Sequence, residues 1–319
     1  MNFKDAKNEI LQVLSKTERQ HLPELLEWLK TSGKFTTGNV VIVLSDDLDD
    51  FLVDNQSVIL QSIAEDLRVC LPLEAMAPSE TMAIQKTQQK PHPTVHVDAF
   101  LYDEEAVDSL CEEGKISRNY CLDCGSHRTA PLEFISHSFS IPELQFLFHT
   151  VLPDLSGKLL VDVGSRLGAV LFGGYLYSAS SQLVGVEINS EFVKLQTMAV
   201  EKYGFSDRIQ VIHADICSQA ALVQNTDVLI MNNVFEYFME PSDQMQAWLF
   251  ISQHFRKKGA LLVTVPSIQE TFAFLQDAVF LETLALSQWI EEVPLDHMVY
   301  LKNDTDPDSL KQIHLYRVL

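Results

Sequence analysis

Several things are scarce in this chain. Of its 319 residues only five are cysteine, Cys70, Cys111, Cys121, Cys124 and Cys217. Their number is odd and their spacing shows no regular framework, so reduced thiols are expected rather than disulfide staples. No run reaches the roughly 18 uninterrupted apolar residues that a membrane helix needs, which argues against a spanning segment. The first seven residues lack the apolar core of a signal peptide, and a cytoplasmic or nuclear protein is expected. Positive charge is short: 23 Lys and Arg face 44 Asp and Glu, a formal net charge of -21 carried by both halves. Nucleic-acid binding rests on Lys and Arg neutralising phosphates, and Arg256-Lys257-Lys258 is the one basic cluster, so direct nucleic-acid binding is disfavoured. Such a field attracts basic proteins, peptides or amines, and it equally serves plain solubility.

What is present supports a well-filled core: 46% of the residues are hydrophobic, enough for one large or two medium domains. Residues 1–74 read as a small accessory module, α-rich or α+β. It has apolar residues at helical spacing over 3–14 and 22–29, a buried-strand candidate over 40–44, an acidic run over 46–50 and a helix over 56–67. Residues 75–93 turn to Pro, Ser, Thr, Gln and Lys, which predicts an exposed loop or linker. Residues 94–140 form a connecting segment, with a strand over 95–101 and a helix over 103–113 closed by Gly114.

That segment also holds Cys121-Leu122-Asp123-Cys124. Two cysteines in C-x-x-C spacing can grip zinc through a tight turn, with His127, His137 or Cys111 nearby as a further ligand. A structural site needs four ligands and the chain has no second C-x-x-C, so two reduced cysteines in a turn is the favoured alternative. Ser140, Pro142 and Glu143 read as the start of a helix over 141–150. His127, His137 and Ser138, just ahead of it, either cover a cleft or serve as surface and capping groups.

The most informative stretch is residues 157–187. Leu159-Leu160-Val161-Asp162-Val163 runs as a buried strand into Gly164-Ser165-Arg166-Leu167-Gly168, and about one helix later a second strand, Leu183-Val184-Gly185-Val186, ends in Glu187. Glycines after a strand let the backbone approach a ligand, and the next helix offers free N–H groups. A carboxylate at the tip of the second strand can accept hydrogen bonds from both hydroxyls of a ribose. The pyrophosphate-binding G-x-G-x-x-G is absent, because Arg166 occupies the middle glycine position.

The pattern D-x-G-x-x-x-G, Asp162 to Gly168, instead resembles motif I of the class I methyltransferases that use S-adenosylmethionine. Further landmarks follow in the order that family has: a third strand over 209–212 leading into Asp215-Ile216, a fourth over 227–231 leading into Asn232-Asn233-Val234-Phe235-Glu236-Tyr237-Phe238, and a fifth over 259–266. An apolar helical stretch over 271–290 and two alternating segments, 297–301 and 312–318, then resemble the family's closing hairpin. The resemblance covers 141–319. It implies an α/β, doubly wound, mostly parallel seven-stranded sheet with an antiparallel C-terminal hairpin, beside the smaller N-terminal module.

It also implies roles. Asp162 and Gly164 would bracket the donor's amino-acid end, with Ser165 in the same cofactor-binding turn, Arg166 either contacting the donor carboxylate or pointing outward, and Gly168 permitting close helix packing. Glu187 and Ile188 would hold its ribose, and Asp215 and Ile216 its adenine. Asn233 and Glu236 would border the transferred methyl. The donor would be S-adenosylmethionine, and methyl transfer from it needs mainly alignment and exclusion of water. The segment Asn-Asn-Val-Phe departs from the Pro-Pro pattern of many base-methylating enzymes, which favours a protein or peptide acceptor over nucleic acid. Small-molecule or RNA methylation, propylamine transfer and a non-catalytic scaffold on the same fold remain alternatives.

Overall fold

The computed structural model describes residues 35–37, 40–42, 45–77, 80, 85, 93–123, 127–275, 277–297 and 307–319. The helices expected over 3–14 and 22–29 lie outside them. An antiparallel pair, β1 (Phe35–Thr37) and β2 (Val40–Ile42), precedes α1 (Ser45–Arg68). That helix is twice the expected length and takes in the acidic run 46–50, because negative charge is favoured at a helix N-terminus. Its second half buries Leu60, Ile63, Ala64 and Leu67 in one apolar stripe. They share a core with Leu144, Phe146, Leu171 and Phe172, so the second half of α1 packs directly on the larger domain.

The connecting segment contains β3 (Thr94–His96), α2 (Glu104–Glu112), β4 (Asn119–Cys121), β5 (Thr129–Pro131) and β6 (Glu133–Ile135). The expected strand over 95–101 is shorter, ending where Asp98 accepts the backbone N–H groups of Phe100 and Leu101. Helix α2 is capped by the Asp103 side chain on Ala106 N. Next, α3 (Ile141–Phe146) starts on a reciprocal box between Ser140 and Glu143, as the sequence predicts, and widens into a π-helical turn over Leu147–Val151.

The main sheet alternates strand and helix: β7 (Leu159–Val163), α4 (Ala169–Tyr177), β8 (Gln182–Glu187), α5 (Ser190–Tyr203), β9 (Ile209–His213), α6 (Ala220–Asn225), β10 (Val228–Asn232), α7 (Pro241–His254) and β11 (Leu261–Val265). Then come α8 (Ile268–Leu275), α9 (Ala278–Leu284), β12 (Ile290–Val293), α10 (Pro307–Leu310) and β13 (His314–Val318). The strand order is β12-β13-β11-β10-β7-β8-β9, with β7 to β11 parallel and β13 antiparallel to both of its neighbours. Alternation along each strand sends Leu160 and Leu183 into one layer and Val161, Val163, Val184 and Val186 into the other, so both faces are buried and the strands read as apolar runs.

The end of the sheet differs from expectation in one respect. The apolar stretch 271–290 is two helices, divided where Asp277 caps Phe280 N at 2.8 Å and closed at Ala285 with φ +47°. The penultimate strand is β12, at the end of that stretch; the expected strand over 297–301 lies, except for His297, outside the described residues. Among the described residues no helix is long and apolar enough to cross a membrane.

Candidate functional site

Strand order reverses between β7 and β10, and there the chains leave the sheet in opposite directions and open a crevice at the strands' carboxyl ends. The crevice is a cavity of about 690 Å³, within the range of about 300–1,000 Å³ usual for small-ligand sites. Its walls come from the turns after β7, β8, β9 and β10, and include Gly164, Glu187, Asp215 and Asn233.

The turn after β7 is shaped by left-handed residues: Gly164, Arg166 and Gly168 have φ of +66°, +46° and +84°. Gly164 N donates to Val186 O at 2.8 Å, and a Cβ on Gly164 would stand 3.2 Å from Val234. Gly168 ends the turn as the N-cap of α4, against Phe172. Ser165 faces away from the cavity and donates to Gln196 Oε1 at 2.8 Å. Of this turn, Gly164 and Arg166 line the cavity, whereas Ser165 and Gly168 support it from behind.

Glu187 sits at the tip of β8, 6% exposed. One carboxylate oxygen accepts Arg166 N–H at 2.8 Å and the other Asn189 N–H at 2.8 Å. Each oxygen keeps a further acceptor position, so a diol in the cavity can still be bound. Burial raises its pKa, opposed by those backbone hydrogen bonds. Ile188 follows, 69% exposed on the cavity wall. Asp162 was expected beside the donor, yet it is buried within β7, opposite Gly185, and does not line the cavity. Burial, then the Glu187 charge, holds its pKa well above the usual carboxylate range.

At the far wall Asp215 accepts Cys217 N–H at 2.8 Å, capping a 3-10 turn, while also lining the cavity with Ile216. Cys217, unmarked by sequence reasoning, lines it too, its thiol pushed by burial up to about 11. Asn233, with φ +48°, lines the cavity and is held by its N–H on Val265 O at 2.7 Å. Glu236 was expected beside it but points behind that wall, accepting Phe235 N–H at 3.1 Å and Thr271 Oγ1 at 3.3 Å. Phe235, itself buried, lines the cavity there instead.

Two contributors come from outside 141–319. His137 lines the cavity and packs on Tyr237 and Phe238 at ring separations of 5.0 and 5.2 Å, with His96 Nδ1 3.2 Å from its Nε2. Glu80, placed by the sequence in an exposed linker, lines the cavity and forms a salt bridge with Arg166, buried on both sides. Cys121 and His127 are exposed and Cys124 lies outside the described residues; among those described, no group of three His, Cys, Asp or Glu is gathered for a metal.

With this geometry in view, residues 161–263 match the family model described as a methyltransferase domain. Similar solved structures include precorrin-6y C5,15-methyltransferase from Geobacter metallireducens, 10% identical over 49% of this chain and 76% of that one, TM-score 0.38. A SAM-dependent O-methyltransferase from Thermotoga maritima is 19% identical over 50% of this chain and 56% of that one, TM-score 0.35. An RNA methyltransferase from Salinibacter ruber, in complex with S-adenosyl-L-homocysteine, is 15% identical over 55% and 85%, TM-score 0.34. No curated protein sequence matches the chain.

The matched segment runs from β7 into β11, the strands whose ends build the cavity. The chain thus carries a Rossmann-like methyltransferase domain. Its sheet, seven-stranded among the described residues with β13 reversed, is the α/β architecture expected from the sequence.

Proposed function

We propose that this cavity binds S-adenosylmethionine and that the protein transfers its methyl group to a protein or peptide side chain. The observation that carries the donor assignment is Glu187, a carboxylate anchored by two backbone N–H groups at the cavity wall with acceptor capacity to spare. Gly164 leaves the backbone open to the donor, Asp215 and Ile216 suit an adenine, and Ile188 offers an apolar face at the rim. When bound, the donor supplies an electrophilic methyl on a sulfonium.

The protein's part is alignment and exclusion of water. Asn233, fixed in a left-handed conformation after β10, borders the reacting centre; Glu236 acts indirectly by pinning the same loop to α8. A base is needed only where the acceptor must lose a proton, and His137 is the imidazole beside the aromatic wall of Tyr237 and Phe238. The net charge of -21 supports a basic peptide over a phosphate-rich acceptor. A small organic acceptor is the second reading, favoured by the apolar lining of Phe238 and Met239.

Purified protein incubated with methyl-labelled donor and cell lysate, separated into protein, RNA and small-molecule fractions, tests the acceptor. Label in protein is expected; label in RNA alone overturns the acceptor assignment. Calorimetric titration with the donor tests the rest, and no binding would leave a non-catalytic scaffold.

A further inference from the structure

Glu80 reaches the cavity from 86 residues before Arg166 in the chain. The stretch that delivers it is buried, with Ala75, Met76 and Ala77 at 0%, 8% and 4% exposure. Arg166 fastens this strap. Its Nη1 pairs with Glu80 Oε1, its Nη2 donates to Ala75 O at 2.6 Å and lies 3.4 Å from Met76 Sδ, and its guanidinium sits 4.6 Å over the Phe192 ring. The other oxygen of Glu80 accepts Ala77 N–H at 2.7 Å. The carboxylate is therefore fixed from two sides, and each oxygen retains an acceptor position.

The charge around it is one-sided. Among the described residues lining the cavity, Glu80, Glu187, Glu191 and Asp215 are acidic and Arg166 is the one Arg or Lys. A ligand group brought against Glu80 is favoured if it is cationic and donates hydrogen bonds. Glu187 marks one wall as the sugar side, and Glu80 stands next to Arg166, whose own N–H touches Glu187. Resting on the donor reading of the cavity, we propose that Glu80 receives the α-ammonium of the donor's amino-acid end, with Arg166 as its positioning residue. Recognition of that end would then depend on a segment outside the methyltransferase match.

The test compares S-adenosylhomocysteine with 5′-methylthioadenosine, which keeps the adenosine and thioether but has no amino acid, by calorimetric titration of the full chain. The wild-type chain should prefer S-adenosylhomocysteine. Glu80→Gln should lower that affinity about tenfold or more, as expected for losing a hydrogen bond to a charged group, and leave methylthioadenosine affinity unchanged. The ratio of the two affinities is insensitive to a partly unfolded sample, and Glu80→Asp should restore part of it. An unchanged ratio in Glu80→Gln overturns the proposal while the donor site stands. A wild-type chain that binds neither compound overturns the donor reading, and the proposal with it.

Discussion

The backbone N–H of Arg166 donates to Oε2 of Glu187 at 2.8 Å, so the turn after β7 and the acid at the tip of β8 are one mechanical unit. Anything that disturbs the carboxylate disturbs the turn.

Glu187→Ala should therefore do two things at once. On the proposed donor reading, losing two charge-assisted bonds to the ribose predicts an affinity for S-adenosylhomocysteine about a hundredfold weaker. Two backbone N–H groups lose their acceptor, which should cost about 2 kcal/mol in urea unfolding. Wild-type affinity in this variant would remove Glu187 from the site.

Arg166→Ala leaves Glu80 buried without its cation, and breaking a buried pair in this way costs about 3–5 kcal/mol. Arg166→Lys should recover only part, since an ammonium cannot reach Glu80 and Ala75 O with one planar fork. Equal unfolding midpoints for Arg166→Lys and wild type would contradict this.

Gly185 lies under the turn, and a Cβ there would stand 2.6 Å from Ser165 Oγ and 2.7 Å from Leu171 Cδ1. Gly185→Ala is expected to destabilise by about 1–3 kcal/mol through overpacking and to weaken nucleoside binding through the displaced turn. Chemical denaturation and titration on the same sample would show both effects; a shift in neither would mean the turn yields freely.

Asp162 makes stability depend on pH. Its folded pKa lies above the unfolded value of about 3.9. Its contribution is thus fully present below about pH 4 and is lost as pH rises through the folded value. Asparagine does not titrate, so Asp162→Asn should gain stability relative to wild type as pH rises from 5 to 8. Unfolding free energies at several pH values measure this, and a difference that shrinks with pH would contradict it.

With its thiol pushed up to about 11, Cys217 should hold about a hundredfold less thiolate at neutral pH than an ordinary cysteine. Iodoacetamide should label it correspondingly slowly against a cysteine peptide, as read by peptide mass spectrometry. Labelling at the peptide's rate would place the thiol in an open, polar setting.

The sheet was legible in the sequence where its chemistry is local. Strands β7, β8, β10 and β11 are buried on both faces, so they appear as apolar runs; β9, at the sheet edge, is partly exposed and shows only through Ile209, Val211 and Ile212, and Glu187 is marked by its place at a strand end. Glu236 was misplaced because its position in the motif does not show which way a turn side chain points, here toward Phe235 N–H and Thr271 Oγ1. Strand β12 was missed because it starts at the last residue of an apolar stretch of helical character and runs past it, and an edge strand with two exposed glutamates carries little alternation. Glu80 was illegible altogether. Its surroundings of Pro, Ser and Thr look like solvent-exposed chain, and the guanidinium that buries it lies 86 residues away.

Strand β13 lies between β11 and β12, so a strand made later is inserted between two made earlier. During synthesis, until His314–Val318 emerges, β12 has no ladder partner and β11 presents an open edge. A substitution such as Tyr316→Asp would put a charge at a buried position of that inserted strand and leave a sheet that cannot close, prone to aggregation before it ever meets a ligand.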